Sequence, residues 1–215
     1  MMSDNLKKRI VTSLALFILI ILIFNSNFIM IYSLILILVF SILEFLNITK
    51  KIIKKKMIFI ISNTFFILYV FSLCSIFIYF SNITSLKIIF FIILMGCIAS
   101  DIGGFVFGKI FKGPKLTKIS PNKTYAGSIG SLIFSLIIVS TSFIIVFNLF
   151  NLSIIITGLI ISIFCQLGDL FFSYLKRKAK IKDTGNILPG HGGILDRLDG
   201  VLFGIPAGFV SVMMI

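Results

Sequence analysis

Long apolar runs separated by short basic segments organise this sequence. The first apolar stretch, residues 10–46, is interrupted only by Asn25, Ser26 and Asn27, a pattern that predicts two antiparallel helices joined by a tight turn. Further runs at 57–80, 88–107, 129–150, 152–175 and 198–215 each approach the ~20 residues that carry a helix across a ~30 Å hydrocarbon core. The fold class expected is all-α: a polytopic integral membrane protein of about seven transmembrane helices. Residues 1–86 form an amino-terminal group of membrane helices. Residues 87–215 form a catalytic membrane region with cytoplasmic loops at 108–128 and 173–199. A short basic stretch precedes the first apolar run, as in a signal peptide, but no small-residue cleavage site follows, so a retained first span is expected.

Composition sharpens this picture. The 215 residues are 59% apolar and 13% charged, with a mean hydropathy of +1.18, which leaves too little polar chain for a separate soluble domain, a disulfide framework or a disordered tail. Cys74, Cys97 and Cys165 lie inside apolar runs without metal-ligand spacing and are expected to be core residues. Twenty Lys and Arg against seven Asp and Glu give a net charge of +13, which alone would suggest a nucleic-acid partner. Their positions argue otherwise: apart from Lys87, all fall before span one or in the loops after spans two, four and six. Positively charged loops stay cytoplasmic, so the amino terminus is expected inside and the carboxyl terminus outside, with no nucleic acid bound. Topology alone would explain the loop after span two. The loops after spans four and six also carry Gly, Pro and acidic residues, and read as parts of a site.

Of the seven acids, Asp4 is at the terminus, whereas Glu44, Asp101 and Asp169 lie within apolar spans, where an ionised carboxylate costs ~2.5–3.5 kcal/mol on insertion scales and is a functional candidate by default. All three lie toward the cytoplasmic ends of their spans in this topology and are expected to meet at one membrane face. For Glu44 the alternative is an interfacial carboxylate paired with a nearby lysine. Asp101 and Asp169 have glycine close by, in Asp101-Ile102-Gly103-Gly104 and Gly168-Asp169, which permits close backbone approach. Gly103 to Lys109 spells the start of a phosphate-binding P-loop, but Ile110 stands where Ser or Thr is needed and the segment continues a helix. Gly104 and Gly108, and Gly200, Gly204 and Gly208, read instead as helix-packing positions.

Residues 173–199 are unlike the rest: they hold the only His, three of seven acids, six of twenty basic residues and four of sixteen glycines. This set offers a hydroxyl and cations for phosphate oxygens, flexible backbone around His191, and carboxylates for a hard cation such as magnesium. It suits transfer of a nucleotidyl or phosphoryl group by positioning and charge neutralisation. Taken singly, His191 could be a turn residue, Asp196 and Arg197 a local ion pair, and Asp199 a cap for the last helix.

The pattern S-x-x-K-R-x4-K-D-x-G-x2-L-P-x-H-G-G-I-x-D-R-x-D across Ser173 to Asp199 resembles the signature of the phosphatidate cytidylyltransferases, or CDP-diacylglycerol synthases. Ser100-Asp101-Ile102-Gly103-Gly104, Lys115-Leu116 and Ile119-Ser120-Pro121-Asn122-Lys123-Thr124-Tyr125-Ala126-Gly127 are similar to two further segments of that family, so the resemblance covers most of residues 95–210. Ile102 and Ala126 depart from the usual Thr and Glu, and no role is carried to either; the chain is also shorter than typical members.

The resemblance implies a magnesium-dependent membrane enzyme, with a second cation as an alternative, that joins CTP and phosphatidate into CDP-diacylglycerol and pyrophosphate. A phosphatidate oxygen would attack the α-phosphorus of CTP. By motif position, Asp169, Asp196, Lys182 and Arg197 would be catalytic, with Asp169, Asp196 and Asp199 toward the metal. Ser173, Lys176, Arg177, Asp183, His191, Gly192, Gly193, Lys123, Thr124 and Asp101 would bind substrate. No histidine general base is expected, because a phosphate monoester is already ionised near neutral pH. A CTP-dependent polyprenol or lipid-alcohol kinase is the nearest alternative, and an ion-coupled transporter a remoter one. The expected partners are CTP, phosphatidate and membrane lipid, with a homodimer as an oligomeric alternative. The expected location is a bacterial inner membrane with the site facing the cytoplasm.

Overall fold

The computed structural model describes residues 4–117, 119–185, 187 and 192–214. Ile- and Phe-rich segments favour strands in water, but in hydrocarbon a helix satisfies every backbone hydrogen bond internally, and this outweighs side-chain propensity. Eight helices result among the described residues: α1 Asp4–Asn25, α2 Asn27–Ile52, α3 Lys56–Phe80, α4 Thr84–Phe111, α5 Tyr125–Phe147, α6 Leu152–Lys178, α7 Leu195–Leu198 and α8 Val201–Val212. Five of them, α2 to α6, are long and apolar enough to cross a membrane. The outward apolar surface agrees with a lipid environment: Phe65, Phe71 and Tyr79 on α3 are 73%, 60% and 69% exposed.

The expected seventh span at 198–215 is divided. Leu198 closes the one-turn α7, the Asp199–Gly200 turn follows, and α8 has only 12 residues, roughly 18 Å of helix rise against a ~30 Å core. The expected break at Asn25 to Asn27 is confined to Ser26, which is extended at φ −131° and whose hydroxyl accepts from the Ile29 amide at 3.4 Å, starting α2.

The chain divides into two compact units. The first comprises residues 1–82 and 175–198. In it α2 packs on α1, α3 and α7; Phe45 and Phe66 stack with ring centroids 3.9 Å apart, and buried Thr49 donates to Asn63 Oδ1 at 3.0 Å.

The second unit comprises residues 83–174 and 199–215. Small residues govern its packing. Gly103, Gly104 and Gly108 on α4 face Gly127, Gly130 and Ser131 on α5, so these two helices approach at backbone distance. The sequence GxxxxGK therefore lies within α4, not in a phosphate loop. Gly204 on α8 faces the buried Cys97 and Cys165 thiols, and Gly208 faces Ile93 and Ile161, as their four-residue spacing predicts. A chain of polar side chains crosses this unit: Ser100 Oγ lies 2.9 Å from Ser162 Oγ, Gln166 Nε2 donates to Ser162 at 3.2 Å, and Ser128 Oγ donates to Gln166 Oε1 at 2.5 Å.

Candidate active site

In the first unit the signature's Lys176 and Arg177 lie on the last turn of α6, and the chain leaves it through a tight stop. The Ile181 amide donates to the Lys176 carbonyl at 3.0 Å and the Lys180 amide to the Arg177 carbonyl at 3.1 Å, with Lys180 left-handed at φ +56°. This is the Schellman arrangement, which satisfies terminal carbonyls and turns the chain sharply. Lys176, fixed at that turn, reaches Asp196 on α7: Nζ lies 2.8 Å from Oδ1, with side-chain exposures of 13% and 6%.

The other oxygen of Asp196 is also engaged. Oδ2 accepts from the Thr184 amide at 2.8 Å, the Gly193 amide at 3.0 Å and the Thr184 hydroxyl at 3.1 Å. Burial pushes the Asp196 carboxyl up, but the Lys176 hydrogen bond, the two backbone amides and the Lys176 charge outweigh it and hold the group below the ordinary carboxylate range. Asp196 thus pairs with Lys176 rather than forming the local pair with Arg197 considered from sequence.

Thr184 has one hydroxyl hydrogen for two carboxylates, and the shorter contact, 2.6 Å, is to Glu44 Oε2. Glu44, on α2 and 3% exposed, also accepts from the Ile194 amide at 3.0 Å and the Leu195 amide at 2.8 Å. The alternative of a lysine-paired interfacial carboxylate is corrected: backbone amides and a threonine hold it.

In the second unit, the loop between α4 and α5 is folded on itself. Lys115 and Thr124 form an antiparallel bridge, the Leu116 amide donates to the Lys123 carbonyl at 2.7 Å, and the Tyr125 amide to the Pro114 carbonyl at 3.2 Å. Thr124 caps α5, its hydroxyl accepting from the Gly127 amide at 3.1 Å. Thr124 therefore has a structural task at the position expected to contact phosphate. The folded loop presents Lys123, whose Nζ lies 2.7 Å from Asp169 Oδ2 on α6. Gly168 and Gly200 bring the α6 backbone against the Asp199–Gly200 turn. At the start of α8 the cap position is Gly200, without a side-chain bond of its own, and Asp199 Oδ1 accepts the Gly200 amide at 3.1 Å.

The remaining expected residues occupy diverse positions. Ser173 on α6 is half-buried, while Arg177 on α6, Lys182, Asp183, Arg197 on α7 and Asp101 on α4 are exposed. Gly192 is left-handed at φ +84°, beside Asp183 and Asp196. His191 lies outside the described residues. The structure thus joins Lys176, Asp196 and Gly193 in one unit, and Lys123 and Asp169 in the other. Sequence reasoning missed Thr184, although a threonine beside the signature's Lys-Asp pair was a usable signal. Chemically, each cluster holds a carboxylate beside a lysine, a combination suited to phosphate groups and a hard cation.

Comparison with known proteins agrees with this chemistry. A family model described as "Cytidylyltransferase family" matches residues 2–215. Among curated proteins named phosphatidate cytidylyltransferase, that of Staphylococcus haemolyticus is 49% identical over 109 residues, which is 50% of this chain and 42% of the relative. That of Rickettsia felis is 43% identical over 133 residues, 57% of this chain and 59% of the relative. That of Helicobacter pylori strain J99 is 41% identical over 114 residues, 52% of this chain and 42% of the relative. The matched stretch therefore spans about half the length of these relatives. With the family model matching nearly end to end, the chain belongs to the cytidylyltransferase family.

Proposed function

We propose that this protein transfers the cytidylyl group of CTP to phosphatidate, forming CDP-diacylglycerol and pyrophosphate, in a bacterial inner membrane with its site at the cytoplasmic face. The observation that carries the reading is the built signature: Lys176, Thr184, Gly193 and Asp196, dispersed over 21 positions, converge on one carboxylate. The names of the relatives support the choice of CTP and phosphatidate.

An oxygen of the phosphatidate phosphate attacks the α-phosphorus of CTP. A new P–O bond forms, the α–β bridging P–O bond breaks, and its electron pair leaves with pyrophosphate. The nucleophile is ionised near neutral pH, so the protein's work is to neutralise and align anions that repel one another. Lys123, Lys176, Arg177, Lys182 and Arg197 supply positive charge, with Ser173 and Asp183 as polar contacts.

In the second unit Asp169, with Asp199 in support, and in the first unit Asp196 are the proposed carboxylates for magnesium. Their donor chemistry fits a hard cation, which is usually bound by one or two carboxylates together with substrate phosphates. Each of the first two already pairs with a lysine ammonium, the type of charge a divalent ion replaces. Bound magnesium would supply charge neutralisation at the phosphates.

The test is a turnover assay of purified protein in detergent with CTP, phosphatidate and magnesium, following CDP-diacylglycerol and pyrophosphate together. Equal amounts of both are expected, with Asp196→Asn abolishing transfer while membrane insertion persists. Near-normal turnover in that variant would remove Asp196 from the reaction.

A further inference from the structure

We propose that Glu44, 129 residues before the start of the signature, is the positioning residue that holds Asp196 in its working geometry. It does so by bonding the two segments that donate to Asp196, at Thr184 and at Gly193 to Leu195; the inference rests on the transfer reaction proposed above. Glu44 is nearly fully buried on an apolar helix, where a carboxylate persists only if its oxygens are satisfied. They are satisfied by three donors, all from the signature: the Thr184 hydroxyl and the Ile194 and Leu195 amides.

These contacts lead directly to Asp196. Thr184 gives its backbone amide to Asp196 and lies with its hydroxyl between the two carboxylates. Leu195 is the residue next to Asp196, and Gly193 gives its amide to Asp196. Glu44 therefore fixes the same short segment that fixes the catalytic candidate, while having no bond to Asp196 itself.

The fit is close. A Cβ at Gly185 would stand 2.7 Å from Glu44 Oε1, and one at Gly193 would collide with both Glu44 and Thr184, so both glycines lie directly against the Glu44 contacts. Glutamine at position 44 keeps the size but presents an amide N–H₂ toward donors, which cannot accept their hydrogens. A general acceptor is not enough; two acceptor oxygens are needed.

The experiment uses the full chain in detergent. Glu44→Gln and Thr184→Val are compared with wild type and with Thr184→Ser, which keeps the hydroxyl. Hydrogen exchange is followed at the amides of Thr184, Gly193, Ile194 and Leu195, and kcat and KM for CTP and phosphatidate are measured.

Glu44→Gln is expected to speed exchange at Ile194 and Leu195 and also at Thr184 and Gly193, whose acceptor is Asp196. It is expected to lower kcat by about 100-fold, the cost of displacing a catalytic group by roughly 1 Å, with both KM values little changed. Thr184→Val should follow it and Thr184→Ser should retain activity.

Faster exchange confined to Ile194 and Leu195, or wild-type kcat in both Glu44→Gln and Thr184→Val, would overturn the positioning role. If wild type forms no CDP-diacylglycerol, the transfer reading fails. Exchange at Thr184 and Gly193 then decides alone whether Glu44 holds the Asp196 segment.

Discussion

Asp196 shows how a carboxylate is kept ionised while largely withdrawn from water. Its two oxygens receive one ammonium and two backbone amides, and these outweigh the effect of burial. The folded carboxyl titrates below its ordinary value of 3.8. Its stabilising contribution is therefore fully present above that value and is lost as pH falls through the depressed one. Lys176→Met weakens the balance, because burial then acts against fewer compensating groups. Removing one partner of such a pair costs about 3–5 kcal/mol, so reduced thermal stability is expected, together with an acid limb of the pH–rate profile displaced to higher pH. An unmoved acid limb with normal stability would contradict this account of the pair. Much of this site was legible in the sequence, since Lys176, Gly193 and Asp196 belong to one local pattern. Thr184 had a signal in its place beside the Lys-Asp pair, whereas the role of Glu44 had none, because the Glu44 contact to Ile194 joins residues 150 positions apart and apolar periodicity carries no record of such a partner.

At the scale of elements, length and hydropathy located the long helices because hydrocarbon leaves the backbone no alternative. The same signal bounded the last helix less sharply, since α8 occupies only Val201–Val212 of the expected run. Residues around 198–215 are apolar, but the Asp199–Gly200 turn packs against Gly168, and that tertiary contact divides the run. The glycine spacing on α4 and α5 was more informative, since it marks where backbones touch. A Cβ at Gly130 would meet the Phe107 side chain and the Gly103 carbonyl oxygen. Gly130→Ala is expected to destabilise the protein by about 1–3 kcal/mol, the usual cost of overpacking, seen as a lower midpoint in thermal unfolding in detergent. An unchanged midpoint would mean that α4 and α5 have slack at this contact.

For the molecule as a whole, the charge pattern implies a definite sidedness. Lys50, Lys51, Lys54, Lys55 and Lys56 cluster around the α2–α3 junction, whereas the α3–α4 turn at Ser81 to Ile83 has no basic residue. By the positive-inside rule the first junction is expected in the cytoplasm and the second outside. Both Lys54 and Asn82 are exposed, which makes them suitable reporters. Asn82→Cys should react with a membrane-impermeant thiol reagent on intact cells, and Lys54→Cys only after permeabilisation. The opposite labelling would invert the topology and remove the cytoplasmic supply of CTP from the proposal.

The central claim is transfer of the cytidylyl group, and the fate of the phosphorus atoms of CTP tests it most directly. Purified protein is given phosphatidate, magnesium and CTP labelled at either the α- or the γ-phosphorus. The account predicts that α-label enters lipid as CDP-diacylglycerol while γ-label is released as pyrophosphate. Transfer of γ-label to lipid with release of CDP would contradict it and would establish a lipid kinase instead.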